Sequence, residues 1–143
     1  MAYVIGKKVV KDTTEFNDYA YGITLPIRRG SDGYFELAYS SFEQARANLL
    51  NLLTTNKGER IMQPEFGTGL QSLLFEQMTD ELESEVTEII TKSVNFWLPY
   101  INIEEIEVQM SDEMKDNHIA NIKINFTVGS NITVNEITFT IRG

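Results

Sequence analysis

Asn56-Lys57-Gly58-Glu59-Arg60-Ile61-Met62-Gln63-Pro64-Glu65-Phe66-Gly67-Thr68-Gly69-Leu70-Gln71-Ser72-Leu73-Leu74-Phe75-Glu76-Gln77 joins two segments with helical apolar spacing. How this stretch is read decides the fold. It holds three of the nine glycines and one of the three prolines. Gly58 suits the left-handed residue that ends a helix, and Pro64 cannot sit inside one. Gly67 and Gly69 accept backbone angles that a side chain forbids. Phe66, Leu70, Leu73, Leu74 and Phe75 supply packing groups around Glu59 and Arg60. The stretch reads as a stiff, tightly specified connection.

On its N-terminal side, residues 41 to 55 carry Phe42, Ala45, Leu49, Leu52 and Leu53 at helical spacing. Ser41 and Gln44 match a capping box at the start. On the other side, Leu70, Leu73 and Leu74 suit a short helical turn, and a second long helix spans about residues 80 to 97. Thr79 or Asp80 can cap that helix, and Asp80, Glu81, Glu83 and Glu85 crowd its first turns, where the helix dipole favours negative charge. Its buried stripe is Leu82, Val86, Ile89, Ile90 and Trp97, and Pro99 stops it.

The remainder alternates as strands do. Ile101 and Ile103 keep a period of two, Glu104-Glu105 shift the phase, and Ile106, Val108 and Met110 resume it, as a β-bulge would produce. Residues 111 to 117 form a polar turn. Ala120, Ile122, Ile124, Phe126 and Val128 alternate without a break, and Gly129-Ser130-Asn131 turns the chain. Ile132, Val134, Ile137, Phe139 and Ile141 follow, with another phase change at Asn135-Glu136. Three strands with short links imply an antiparallel meander. The expected class is therefore α+β, two main helices packed on a three-stranded or slightly larger antiparallel sheet.

Residues 1 to 33 read as an extended N-terminal arm, and 34 to 143 as the α+β domain. Tyr3-Val4-Ile5 and Val9-Val10 suit short extended pieces. Tyr19, Tyr21, Ile23, Leu25 and Ile27 alternate as a strand with one buried face would, and Pro26 confines it to an edge or an end. A turn over residues 28 to 33 precedes an extended Tyr34-Phe35-Glu36-Leu37-Ala38-Tyr39.

A chain of 143 residues suits one domain that buries about two thirds of its unfolded surface. There is no cysteine, so disulfides, thiolate zinc sites and cysteine nucleophiles are excluded. The net charge of −9, from 21 acids against 12 bases, repels phosphate backbones and argues against nucleic-acid binding. No run of about eighteen apolar residues suits a membrane span, and the N-terminus lacks a signal-peptide core. A soluble, intracellularly made protein is expected.

Carboxylates are abundant, so a catalytic pair needs independent support. Glu59, Glu65 and Glu76 are the candidates for acid and base, and the simpler reading is that Glu59 pairs with backbone or arginine. His118 is the single histidine, which leaves no two-histidine metal site. No serine sits in a G-x-S-x-G elbow, and Gly67-Thr68-Gly69 is too short for a phosphate or dinucleotide fingerprint. Glu104, Glu105 and Glu107 with Asp112, Glu113 and Asp116 lack the EF-hand order of calcium ligands. No cofactor is expected. The last strand, through Ile137, Phe139 and Ile141, either presents an edge that a partner strand can extend or is simply paired inside the sheet or covered by the N-terminal arm.

From Leu49 to Leu70 the sequence resembles the lysozyme-like baseplate wedge family of contractile phage tails and related injection systems. The resemblance lies in an apolar helix end, then Gly58-Glu59-Arg60, then Pro64, Phe66-Gly67 and Leu70, and then Leu74-Phe75-Glu76. It covers roughly residues 34 to 142. It implies a structural role in the inner baseplate, with sheath protein, other wedge proteins and the tail tube as partners, and initiation of the sheath by strand exchange. It implies a place in the virion tail after assembly in the host cytoplasm. Gly58, Glu59, Arg60, Pro64, Phe66, Gly67 and Leu70 would shape the joint, and Pro99, Tyr100, Ile137, Phe139 and Ile141 would contact partners. The family often has Glu-Pro-Arg where this chain has Leu98-Pro99-Tyr100, so a charged sheath contact there would give way to a hydrophobic one through Tyr100. The competing expectation is a wall-cleaving lysozyme using Glu59 with Glu65 or Glu76.

Overall fold

Strict alternation in the last third of the chain produces the sheet that organises the larger unit. A computed structural model describes residues 19–31, 33–74, 82–109, 117, 119–130 and 133–142. The elements are β1 (Gly22–Ile23), β2 (Leu37–Ala38), α1 (Ser41–Thr54), α2 (Leu70–Leu74), α3 (Leu82–Trp97), β3 (Ile101–Gln109), β4 (Ile119–Val128) and β5 (Asn135–Arg142). The chain divides into two compact units, Met1–Asn48 and Leu49–Gly143, with α1 running through the boundary.

In the larger unit β3, β4 and β5 form an antiparallel sheet in that order. One face is a set of apolar rows across the strands: Ile103 with Phe126, Ile106 with Ile124 and Ile137, and Val108 with Ile122 and Phe139. The register slips between Ile103 and Glu105, so the bulge read from the phase shift is present. It keeps the apolar set on one face despite the extra residue. The helix α3 lays Leu82, Val86, Ile90 and Val94 into the core and packs against β3, while α2 packs against α3 and β5. Burying each such aliphatic side chain stabilises by roughly 1.5–3 kcal/mol. Val94 belongs to the buried stripe, whereas Ile89 and Trp97 are half-buried.

The opposite face of the sheet is polar. Lys123 lies between Glu136 (3.3 Å) and Glu107 (3.9 Å). Its ammonium is raised above its ordinary pKa by the hydrogen bond to Glu136 and by both carboxylates. Asn125 donates to Glu105 (3.0 Å), Thr127 to Glu104 (3.2 Å) and Thr140 to Asn121 (2.7 Å). These acids thus serve cross-strand pairing, while Asp112, Glu113, Asp116 and His118 lie outside the described residues.

In the smaller unit β1 and β2 pair antiparallel, Gly22 with Ala38 and Ile23 with Leu37. The alternation over residues 19 to 27 overstates this strand. It spans two residues, and Tyr19, Tyr21, Ile23 and Ile27 are exposed. The buried face expected from alternation is absent because pairing with β2 covers only Gly22 and Ile23 and leaves these side chains in water. Gly22 leaves room for Gln44, whose side-chain oxygen lies 2.2 Å from where a Cβ would stand. Tyr3-Val4-Ile5 and Val9-Val10 lie outside the described residues.

The cap of α1 is one residue earlier than the capping box suggests. The Ser40 hydroxyl accepts from Glu43 N (3.1 Å), and the Glu43 carboxylate accepts from Tyr39 N (2.9 Å). The Ser40 hydroxyl thus meets an orphan donor of the first turn, that of Glu43. Replacing Ser40 with alanine is expected to cost about 1 kcal/mol, read as a lower urea midpoint at unchanged slope. Residues 79 to 81, where the cap of α3 is expected, lie outside the described residues, as do Phe75, Glu76 and Gln77.

Candidate functional site

The carbonyls that α1 leaves unsatisfied at its C-terminus explain the shape of the connection that follows. Thr55 Oγ1 donates to Asn51 O (2.6 Å), and Thr68 reaches back from fifteen residues on to donate through Oγ1 to Leu53 O (3.1 Å). The backbone N of Thr68 donates to Thr55 O (3.2 Å). This return brings the chain so close that a Cβ on Gly67 would lie 2.3 Å from Thr55 O, and Gly67 holds φ at +115°. Gly58 is also left-handed, at φ +89°, and its N donates to Pro64 O (2.8 Å), closing the 58–64 loop at its base.

Glu59 spends both carboxylate oxygens on Asn56. Oε2 accepts from the Asn56 backbone N (2.9 Å) and Oε1 from Asn56 Nδ2 (3.0 Å), while Nδ2 also donates to Gln71. Glu59 therefore binds the chain just beyond α1, as the simpler reading of that acid expects. The Arg60 guanidinium lies 3.7 Å over the Phe66 ring, and Phe66 meets Trp97 edge-on at 5.1 Å and 65°. Trp97 in turn meets Phe96 at 5.0 Å and 86°. A cation–π contact followed by edge-to-face rings ties the connection to the C-terminal end of α3.

The structure thus brings Gly58, Glu59, Arg60, Pro64, Phe66, Gly67 and Leu70 into one joint, with Phe66, Gly67 and Leu70 buried. Glu65 is exposed and Glu76 lies outside the described residues. Thr68, Asn56 and Trp97 also hold the joint, although sequence reasoning assigns none of them a part there. A threonine flanked by two glycines is the available signal for the first.

Pro99 and Tyr100 are exposed in the turn from α3 to β3, where Tyr100 O accepts from Gly129 N (2.8 Å). Ile137, Phe139 and Ile141 are 1%, 7% and 8% exposed. Their side chains belong to the core because the pleat turns every second residue inward. Any contact along β5 must therefore use its backbone and the outward Glu136, Thr138, Thr140 and Arg142. The strand has β4 on one side, and among the described residues no strand pairs with the other.

Comparison with known proteins agrees with this geometry. The family model of baseplate wedge protein gp25 matches residues 41–132, which takes in α1, the joint, α3 and most of the sheet. Baseplate wedge protein gp25 of Enterobacteria phage T4 is 33% identical over 84 residues, 59% of this chain, and the match spans 61% of that protein's length. A Geobacter sulfurreducens protein designated a tail lysozyme shares the fold with a TM-score of 0.63 at 21% identity, over 72% of this chain and 91% of its own. A chain of the anti-feeding prophage baseplate does so at 0.55 and 21%, over 84% and 82% respectively. A chain of the type VI secretion baseplate complex reaches 0.50 at 12%, over 66% and 87%. The sequence match through the joint, seated on a fold shared with baseplate chains, places this chain in the baseplate wedge protein gp25 family.

Proposed function

We infer that this protein is a non-enzymatic structural component of a contractile-tail baseplate, and that β5 receives a strand of the first sheath ring. The observation that carries the reading is the edge. β5 is eight residues long and free of proline, its apolar side chains are already spent on the core, and one side of its backbone has no strand partner among the described residues. Such an edge takes an added strand through main-chain hydrogen bonds, with outward side chains setting selectivity. Sheath protein, neighbouring wedge proteins and the tail tube are the partners this role requires. The assembly would take place in the host cytoplasm and end in the virion tail.

Removing residues 132 to 143 cannot test the edge, because it would strip Ile137, Phe139 and Ile141 from the core. Hydrogen exchange on baseplate–tube particles prepared with and without sheath protein can. Amides within Asn135–Arg142 are expected to slow by about tenfold or more when sheath is present, as stable pairing protects them. Equal exchange in the two preparations would sink strand addition. The competing wall-cleaving reading is checked by turbidity of purified cell walls. No clearing is expected, since Glu59 is engaged by Asn56, and clearing lost in Glu59→Gln would overturn the structural role.

A further inference from the structure

We propose that the Ile61–Met62 turn is a binding knuckle that seats in an apolar recess of a neighbouring baseplate protein, at a contact separate from the β5 edge. The proposal rests on the baseplate reading above. Gln63 N donates to Arg60 O (3.2 Å), so Ile61 and Met62 occupy the two corners of a tight turn. Turn corners are commonly filled by Gly, Pro, Asn, Asp or Ser. Here two large apolar side chains stand there, 96% and 91% exposed. They add nothing to the core of their own chain, so exposing them has only a hydration cost within it.

The turn is also held rigid from below. The Gly58–Pro64 hydrogen bond closes its base, Arg60 on one flank is stacked on Phe66, and Phe66 on the other is buried against Trp97. A preorganised apolar pair loses little conformational freedom on docking, which is how an anchor residue gains affinity.

Size and charge select the occupant. Two such side chains offer on the order of 200 Å² of apolar surface, against roughly 800 Å² per partner in a stable complex. The knuckle alone cannot hold a dimer. Two copies of a chain with net charge −9 also repel one another. The fitting partner is a different protein, held near this one by other contacts of the assembly, so that the knuckle binds at high effective concentration.

The test places a diazirine-bearing aliphatic amino acid at position 62 in the full chain, assembled into tail particles and irradiated. An adduct with a baseplate protein other than sheath is expected, and none from the same group at exposed Glu83. An Ile61→Ser/Met62→Ser variant should keep its melting temperature yet lose about 10- to 100-fold in competition with the wild-type chain for incorporation. An adduct only with a second copy, no adduct in particles that contain the chain, or equal incorporation overturns the knuckle alone. Tail particles that lack the chain altogether overturn the baseplate reading and the knuckle with it.

Discussion

Gly67→Ala is expected to destabilise the protein by about 3–4 kcal/mol. Two costs combine at this residue. A side chain at φ +115° carries a left-handed penalty of roughly 1–2 kcal/mol. Its Cβ would also lie 2.3 Å from Thr55 O, a backbone atom that can move only if the end of α1 moves. That carbonyl accepts from Thr68 N, and Thr68 Oγ1 holds Leu53 O, so retreat breaks the bonds that cap the helix. Gly58 and Gly69 provide the internal comparison. Both have positive φ, +89° and +70°, but nothing stands within 4 Å of a Cβ at either. Alanine there should cost about 1–2 kcal/mol, the conformational share alone. Urea unfolding of the three variants separates the two costs, and equal losses would show that the close approach is unimportant.

Phe126→Ala should cost about 3–5 kcal/mol, the range for removing a fully buried phenylalanine. The ring is 0% exposed in the central strand, opposite Ile103 on β3 and Asn135 on β5. A strand paired on both sides cannot shift to refill the space, so most of the cavity would persist. Against a typical total of about 5–15 kcal/mol, the variant would be marginal at 37 °C. The melting temperature should fall by about 10 °C or more. Asn125→Ala, on the outer face of the same strand, exchanges one exposed bond to Glu105 and should change stability by less than about 1 kcal/mol. If the two variants fell alike, the assignment of faces would be wrong.

The separation of these effects follows from period-two patterning, which is legible in the order of the residues themselves. The slip at Glu104-Glu105 reads as a bulge because one extra residue reverses every later side chain. Long-range returns of the chain leave no such trace. Thr68 reads as a spacer between glycines, yet it bonds to residues fifteen and thirteen positions earlier. Alternation at Tyr19, Tyr21, Ile23 and Ile27 suggests a buried face, but strands β1 and β2 pair over two residues only and those side chains stay exposed. Ser41 matches the capping pattern as well as Ser40 does by distance, and only the folded backbone shows that Glu43 N meets Ser40.

Sequence alone determined the α+β class, the helices α1 and α3, the meander with its bulge, and the family, because each rests on local periodicity or an unbroken motif. Only the tertiary structure decided what the described part of the connection, residues 56–74, does. There Glu59 binds Asn56, Gly67 lies against the end of α1, and Arg60 stacks on a ring that leans on Trp97. Exposure, too, was settled only in three dimensions. Ile61 and Met62 have the same apolar chemistry as Ile137 and Phe139, and the fold buries one pair and leaves the other in water. Burial depends on which surfaces meet, and no local pattern in a turn carries that information.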